Sequence, residues 1–410
     1  MMSLSLYLHI PFCERRCAYC DFNTYAGLKS LMPAYTRALV RELRMVAAAG
    51  RVDGMQTLER RVHSVYFGGG TPSLLPSTLW SEIVRAMRSS FALCDDAEMT
   101  IEANPGTVDT SSLRGLRRLG FNRLSLGVQS SHPDELRLLD RGHSFAEAAT
   151  AVRAARRAGF ANLNLDLIYG LPHQTLHRWQ ETLRRTLDLA PDHLSLYALS
   201  LEFGTPLRAW VEQGIVPAPD DDLAADMFES ACRLLKDAGF IHYEISNWAR
   251  RTASDGPAGT TSSPALACRH NLQYWRNLPY LGFGAGAHGC EAGWRYSNVR
   301  SPSEFVRRIE KGVQGPYPFS PALVAKEELD LDAQMDETLM LGFRLLREGV
   351  REDDFENRYG RTITSRYRDR LDWLQEQGLI TRSKHGPRLA ARGRLLANQV
   401  FREFVGSDAA

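Results

Sequence analysis

The chain has 410 residues, 44% hydrophobic and 24% charged, enough for a large core and two domains. A formal net charge of +2 gives no electrostatic case for a nucleic-acid partner, and no apolar run reaches membrane-spanning length. Seven cysteines, odd in number and unevenly spread, argue against a disulfide scaffold and for a reducing compartment.

Leu4–Ile10 reads as a short strand that runs into a loop bearing Cys13, Cys17 and Cys20. Helical periodicity follows over Tyr35–Ala49 and stops at Gly50. Val62–Phe67 is a second strand, followed at once by Gly68-Gly69-Gly70-Thr71-Pro72. Thr78–Met87 is a helix. Ala97–Ile101 is a strand ending at Glu102-Ala103-Asn104-Pro105, and Ser111–Leu119 is a helix stopped by Gly120. The unit then repeats. Strand Leu124–Val128 ends in Gln129, helix Ser144–Ala158 stops at Gly159, and strand Leu163–Ile168 carries Asp166 and leads to Tyr169-Gly170-Leu171-Pro172. Helix Leu176–Leu187 and strand His193–Ala198 close the series.

Six strand–helix alternations predict a parallel α/β domain. The polar outliers recur at strand ends, where barrel-like α/β folds and open doubly wound sheets alike place their sites. Six units rather than eight point to a partial, TIM-like (βα)6 barrel with a lateral opening. We expect a core over 1–210 and an extension over 211–320. The extension carries a helix at Leu223–Asp237, a Ser-, Thr- and Gly-rich insertion at 251–264, and a close backbone approach at Gly282–Gly289. The remainder, 321–410, reads as helices near Met335–Leu346, Asp353–Tyr359 and Ile363–Gln375, followed by a hairpin-like piece. That is the text of a small winged-helix-like α/β module, taken as accessory or dimerising rather than nucleic-acid-binding.

Three cysteines within eight residues suit a soft metal centre. Structural zinc would want a fourth ligand; His9 is in reach, but no second CxxC pair follows. A [4Fe–4S] cube held by three thiolates keeps one iron open. Cys94, Cys232, Cys268 and Cys290 read as ordinary thiols. No CxxCH attachment motif is present.

Cys13-x3-Cys17-x2-Cys20 resembles the signature of the radical S-adenosylmethionine (SAM) superfamily. There, SAM chelates the open iron, and an electron from the cluster cleaves its sulfonium to a 5′-deoxyadenosyl radical. Five further stretches make the whole chain resemble the oxygen-independent coproporphyrinogen oxidase-like group: Tyr7-x-His9-x-Pro11-Phe12-Cys13, Gly68–Pro72, Glu102-Ala103-Asn104-Pro105, Gly127-Val128-Gln129-Ser130 and Asp166–Pro172. The resemblance implies that Tyr7 orients SAM beside the cluster, Gly69 approaches its amine, and Gly70 and Thr71 lie alongside. It implies that Arg141 pairs with its carboxylate, and that Glu102, Gln129 and Asp166 bind its polar edges.

The oxidases of this group carry a further cysteine where this chain has Phe22, and a longer segment before the cysteine motif. Both departures fit the haem chaperone branch. So does His270-Asn271-Leu272-Gln273-Tyr274-Trp275, in which His270, Tyr274 and Trp275 are candidate haem contacts, with His242, His288 and His9 as alternatives. The expected ligands are a [4Fe–4S] cluster, SAM and haem. The expected partner is an acceptor haemoprotein, such as a membrane respiratory enzyme. The alternatives are coproporphyrinogen III oxidation and a non-enzymatic interaction role on the same scaffold. The first residues do not read as a secretory signal, so the chain is expected in the cytoplasm, as monomer or homodimer, with any membrane contact peripheral.

Overall fold

The computed structural model describes residues 3–52, 60–256 and 263–405. Its contacts divide the chain into two units, Met1–Ala231 with Pro279–Glu327 and Cys232–Leu278 with Glu328–Ala410. The stretch 211–320, expected as one extension, is therefore shared: 232–278 goes to the second unit and the rest to the first. Residues 257–262 of the expected insertion 251–264 lie outside the described residues.

In the first unit, six strands pair in parallel in chain order: β1 (Leu4–Ile10), β2 (Val62–Gly69), β3 (Leu93–Ala103), β4 (Arg123–Gln129), β5 (Asn162–Tyr169) and β6 (His193–Ala198). Helices Met32–Val52, Ser77–Ser90, Thr110–Leu119, Phe145–Ala158 and Leu176–Leu187 make the crossovers. This is the partial (βα)6 barrel. The strands read as near-continuous apolar runs because both faces are covered; every residue of β4 is buried. Helix ends follow local chemistry. Ser144 and Glu147 form a capping box, and Gly159 closes the same helix in the left-handed region at φ 93°. Asp109 with Ser112, and Gly120, do the same for Thr110–Leu119. Trp80 packs edge to face on Phe67 and Phe121, whose own rings are tilted to each other, all with centroids 5.0–5.3 Å apart, pinning helix Ser77–Ser90 onto β2.

The sheet also extends past β1. Strand β7 (Tyr280–Phe283) lies parallel on its other side, and β8 (His288–Glu291) and β9 (Trp294–Asn298) follow antiparallel, so the sheet is mixed. The glycines of this stretch serve the close approach: a Cβ on Gly282 would stand 1.9 Å from the His288 carbonyl oxygen.

The second unit holds the hairpin Phe240–Glu244 with Asn247–Arg250, the helix Arg269–Trp275, three helices at Leu331–Gly342, Glu352–Tyr359 and Ile363–Glu376, and the hairpin Ile380–Ser383 with Gly386–Leu389. Three helices and then a hairpin is the winged-helix-like order. The helix expected at Met335–Leu346 starts and stops four residues earlier. Asp330 caps its N-terminus through the Ala333 N–H at 2.7 Å. After Gly342 the chain turns away, and the Leu346 N–H donates to the Tyr243 carbonyl at 3.0 Å.

Candidate cofactor site

A pocket of about 360 Å³ opens at the C-terminal ends of β2–β6, a size suited to a small cofactor. Cys13, Cys17, Cys20, Gly69, Gly70, Thr71, Glu102, Gln129, Arg141 and Asp166 all line it. Residues up to 153 positions apart in the chain converge because each sits in the C-terminal half of a parallel strand or in the connection that follows.

The cysteine loop is tied to the glycine loop by backbone bonds: Gly70 N–H to Ile10 O at 2.9 Å and Thr71 N–H to Phe12 O at 2.7 Å. A Cβ on Gly70 would meet the Phe12 oxygen at 2.6 Å, so no larger residue fits between the loops. Gly69 adopts φ 115°, and its Cβ would strike the His9 ring at 2.4 Å.

The three cysteines are half-buried, and a polar group approaches each sulfur. Thr71 Oγ1 lies 3.7 Å from Cys13, Arg141 Nη1 lies 3.4 Å from Cys17, and Thr24 Oγ1 lies 3.8 Å from Cys20. Burial pushes the Cys13 thiol up to about 11 and raises Cys20, which matches thiols awaiting a positive centre. Among the described residues no His, Cys, Asp or Glu side chains stand as a ligand set for one metal ion. A cube takes each thiolate on a different iron, so its ligands stand farther apart than those of a single ion. Three thiols round one pocket fit the cube.

Burial pushes Glu102 up to about 7, with Asp166 adding to the rise, against the pull of donors from Tyr66 Oη at 2.8 Å and Gly69 N–H at 3.1 Å. Burial also raises Asp166, which accepts from Ser125 Oγ at 3.0 Å and Asn164 Nδ2 at 2.7 Å. A register shift after Gly127 turns Gln129 to φ 69°. Its Oε1 is buried with no hydrogen-bond partner among the described residues, as is Nε of Arg141. Both atoms belong to pocket-lining side chains, so a polar ligand there would meet unanswered donors and acceptors. SAM, with its amine, carboxylate and ribose hydroxyls, fits that donor set.

Tyr7 does not line the pocket. Its hydroxyl donates to His9 Nδ1 at 3.0 Å, the ring being fixed by Nε2 donating to Asn23 O at 2.9 Å, and its ring stacks on Tyr66. Tyr66 lines the pocket in its place. Sequence reasoning also passed over Asn104, which accepts from Arg141 Nη2 at 2.5 Å and donates to Thr71 Oγ1 at 2.9 Å. Its place in Glu102-Ala103-Asn104-Pro105, at a strand end, was the available signal.

The haem candidates lie elsewhere, in the second unit. His270 is buried and its Nε2 meets the Tyr274 hydroxyl at 2.9 Å. Trp275 is half-buried, with the Arg344 guanidinium 4.1 Å from its ring centre. Of the alternatives, His242 is stacked on Trp248, His9 is engaged as above, and His288 is exposed. Phe22 is 64% exposed at the rim of the cofactor pocket.

A parallel half-barrel whose strand ends gather three cysteines and a polar cofactor pocket defines a radical SAM protein, a class that carries a [4Fe–4S] cluster and SAM. Residues 7–186 match the radical SAM superfamily, and 329–396 match the HemN C-terminal domain. Heme chaperone HemW of Mycobacterium tuberculosis is 38% identical over 98% of this chain and 94% of its own length. Heme chaperone HemW of Bacillus subtilis is 35% identical over 98% and 99%. Among solved structures, coproporphyrinogen III oxidase (HemN) from Escherichia coli superposes with a TM-score of 0.80 at 26% identity, over 98% of this chain and 90% of that one. The chain belongs to the radical SAM superfamily and, within it, to the HemW family.

Proposed function

We propose that the chain is a haem chaperone: it binds haem and hands it to an acceptor haemoprotein. The observation that carries this reading is the likeness to relatives named heme chaperones over nearly the full length of both chains. Cys13, Cys17 and Cys20 would hold the cluster. Gly69, Gly70, Thr71, Glu102, Gln129, Arg141 and Asp166 would hold SAM, with Tyr7 bracing Tyr66 from behind. When bound, this pair supplies one-electron reductive chemistry at the sulfonium. The chain's own part is to orient the cofactor. Arg141 presents a carboxylate-binding fork, Gln129 offers its unpartnered oxygen, and Glu102 holds a proton near neutrality.

The helix Arg269–Trp275 would contact haem through His270, once the Tyr274 hydroxyl gives up Nε2. The acceptor is proposed to be a membrane respiratory enzyme, met at the membrane surface by a cytoplasmic monomer or homodimer. Among the described residues no helix is long and apolar enough to cross a membrane. The test is transfer. Haem-loaded chain is mixed with membranes holding an acceptor freed of haem, and acceptor activity and absorbance are followed. No gain over free haem at equal concentration would sink the reading.

A second reading, coproporphyrinogen III oxidation, is favoured by the TM-score of 0.80 to the HemN oxidase. Incubating the reconstituted chain with coproporphyrinogen III, SAM and a reductant separates the two. Catalytic formation of protoporphyrinogen IX would establish the oxidase. Its absence, together with haem transfer, supports the chaperone.

A further inference from the structure

The second unit encloses a cleft of its own, of about 1130 Å³. Its floor is apolar, with Phe240, Trp248 and Leu389 buried. Its walls are cationic. Arg251, Arg347, Arg388 and Arg394 face it from four separate segments, and Arg233, Lys236 and Arg351 (itself paired with Asp354 at 3.0 Å) complete a set of seven lining cations against one lining carboxylate, Glu348. The whole chain carries 50 basic and 48 acidic residues, so seven to one is a local departure. Nor does Glu348 neutralise the cleft: Arg276 claims it with two bonds, at 2.9 and 2.6 Å.

An exposed arginine rim is usually just solvated. Three observations separate this cleft from such a rim. The side chains of Arg347 and Arg388 make no hydrogen bond or ion pair among the described residues. Arg347 is half-buried, and burial together with the charges of Arg251 and Arg388 lowers its affinity for its own proton, against a weaker opposing pull from Asp255. Arg394 keeps a buried Nε with no partner among the described residues. Like charges gathered in a partly desolvated cleft repel one another, and an anion relieves that repulsion. Guanidinium forks match the planar oxygens of carboxylates and phosphates. His242, held neutral because burial lowers its imidazole to about 3 and stacked on Trp248 at 3.9 Å, adds a flat uncharged wall.

We propose that this cleft binds a compact ligand carrying two or more phosphate or carboxylate groups. Those oxyanions can be a free polyphosphate or the paired propionates of haem.

Isothermal titration of the full chain with inorganic pyrophosphate at low salt tests the site. One pyrophosphate per chain is expected, with affinity falling as salt rises. The double variant R347Q/R388Q, and independently the exposed pair R251Q/R388Q, should weaken it by about tenfold or more. R114Q, in the first unit and absent from the cleft lining, should leave it unchanged. No binding, or wild-type affinity in either double variant with an unaltered melting transition, overturns the proposal. Haem titration with and without pyrophosphate then separates the sources: competition assigns the site to propionates, and independent binding assigns it to a free anion. The pyrophosphate arm contains no haem, so its failure and the failure of the chaperone reading are distinguishable.

Discussion

Arg141 Nη1 stands 3.4 Å from the sulfur of Cys17, 124 residues earlier in the chain, while Nη2 is bonded to Asn104 Oδ1 and to the Gly127 carbonyl at 2.7 Å. One guanidinium thus touches the sulfur of a proposed cluster ligand and borders the cofactor pocket. A cationic donor at a thiolate favours the more negative, reduced cluster. Arg141→Gln should therefore lower the cluster midpoint by about 40 mV, the one-electron equivalent of a hydrogen bond worth ~1 kcal/mol. A redox titration followed by magnetic resonance reads this directly. SAM affinity should fall in the same variant. An unmoved midpoint would mean that the Cys17 contact does not survive cluster insertion.

The three loop cysteines should divide cleanly from the others. Cys13→Ala, Cys17→Ala and Cys20→Ala are each expected to lose the cluster, read as iron and sulfide content and the visible absorbance of reconstituted protein. Cys94→Ala and Cys290→Ala should retain it. Both are half-buried and neither lines the cofactor pocket.

The strand-end residues were legible in the sequence because parallel strands leave a plain signature: an apolar run, then a glycine, amide or carboxylate where packing stops. Glu102 and Gln129 follow that rule, and Asp166 stands out as a carboxylate inside an apolar strand, three residues before its end. Tyr66 does neither, because an aromatic two residues before a glycine turn reads as core; only the folded arrangement, in which Tyr66 lines the pocket and Tyr7 stacks on it, tells the two rings apart. The division between the units was equally hidden. Phe240–Glu244 and Arg269–Trp275 look like local continuations of what precedes them. Their allegiance is set by long-range bonds, such as Leu346 N–H to Tyr243 O, that no periodicity encodes.

Glu102 links the site to pH. Its folded carboxyl is raised from 4.5 to about 7, chiefly by burial. A raised carboxyl binds its proton more tightly folded than unfolded. The stability it contributes is full below pH 4.5 and is lost as pH rises through 7. The loss is at most ~3 kcal/mol. Without ligands, Glu102→Gln should melt close to wild type at pH 5 and above it at pH 7.5. A constant difference across that range would mean that Glu102 titrates normally. Glu42, raised to about 7 by burial and bonded to Ser320, Gly284 and Asn298, keeps its own dependence in both proteins, so the difference reads Glu102 together with its effect on the neighbouring Asp166.

Gln129 holds a left-handed backbone, φ 69°, that costs a side-chain-bearing residue roughly 1 kcal/mol relative to glycine. It also buries an oxygen with no partner among the described residues. Gln129→Gly removes both burdens. The ligand-free chain should gain about 1 kcal/mol in urea unfolding, while SAM affinity drops by about tenfold. A variant that loses stability instead would show that Gln129 supports the fold rather than the cofactor.

Tyr274 and His270 give the sharpest test of the haem element. The Tyr274 hydroxyl meets Nε2 of a buried imidazole at 2.9 Å, so that nitrogen is engaged in the structure. Tyr274→Phe removes the hydroxyl and keeps the ring. If His270 ligates iron through Nε2, this variant no longer has to break that bond and should bind haem several-fold more tightly, since one buried hydrogen bond is worth ~1 kcal/mol. His270→Ala should lose the imidazole-ligated spectrum, and the double variant should match His270→Ala alone. Unchanged spectra in both single variants would move the iron to another ligand, and the absorbance of His288→Ala, the exposed imidazole, would be the next measurement.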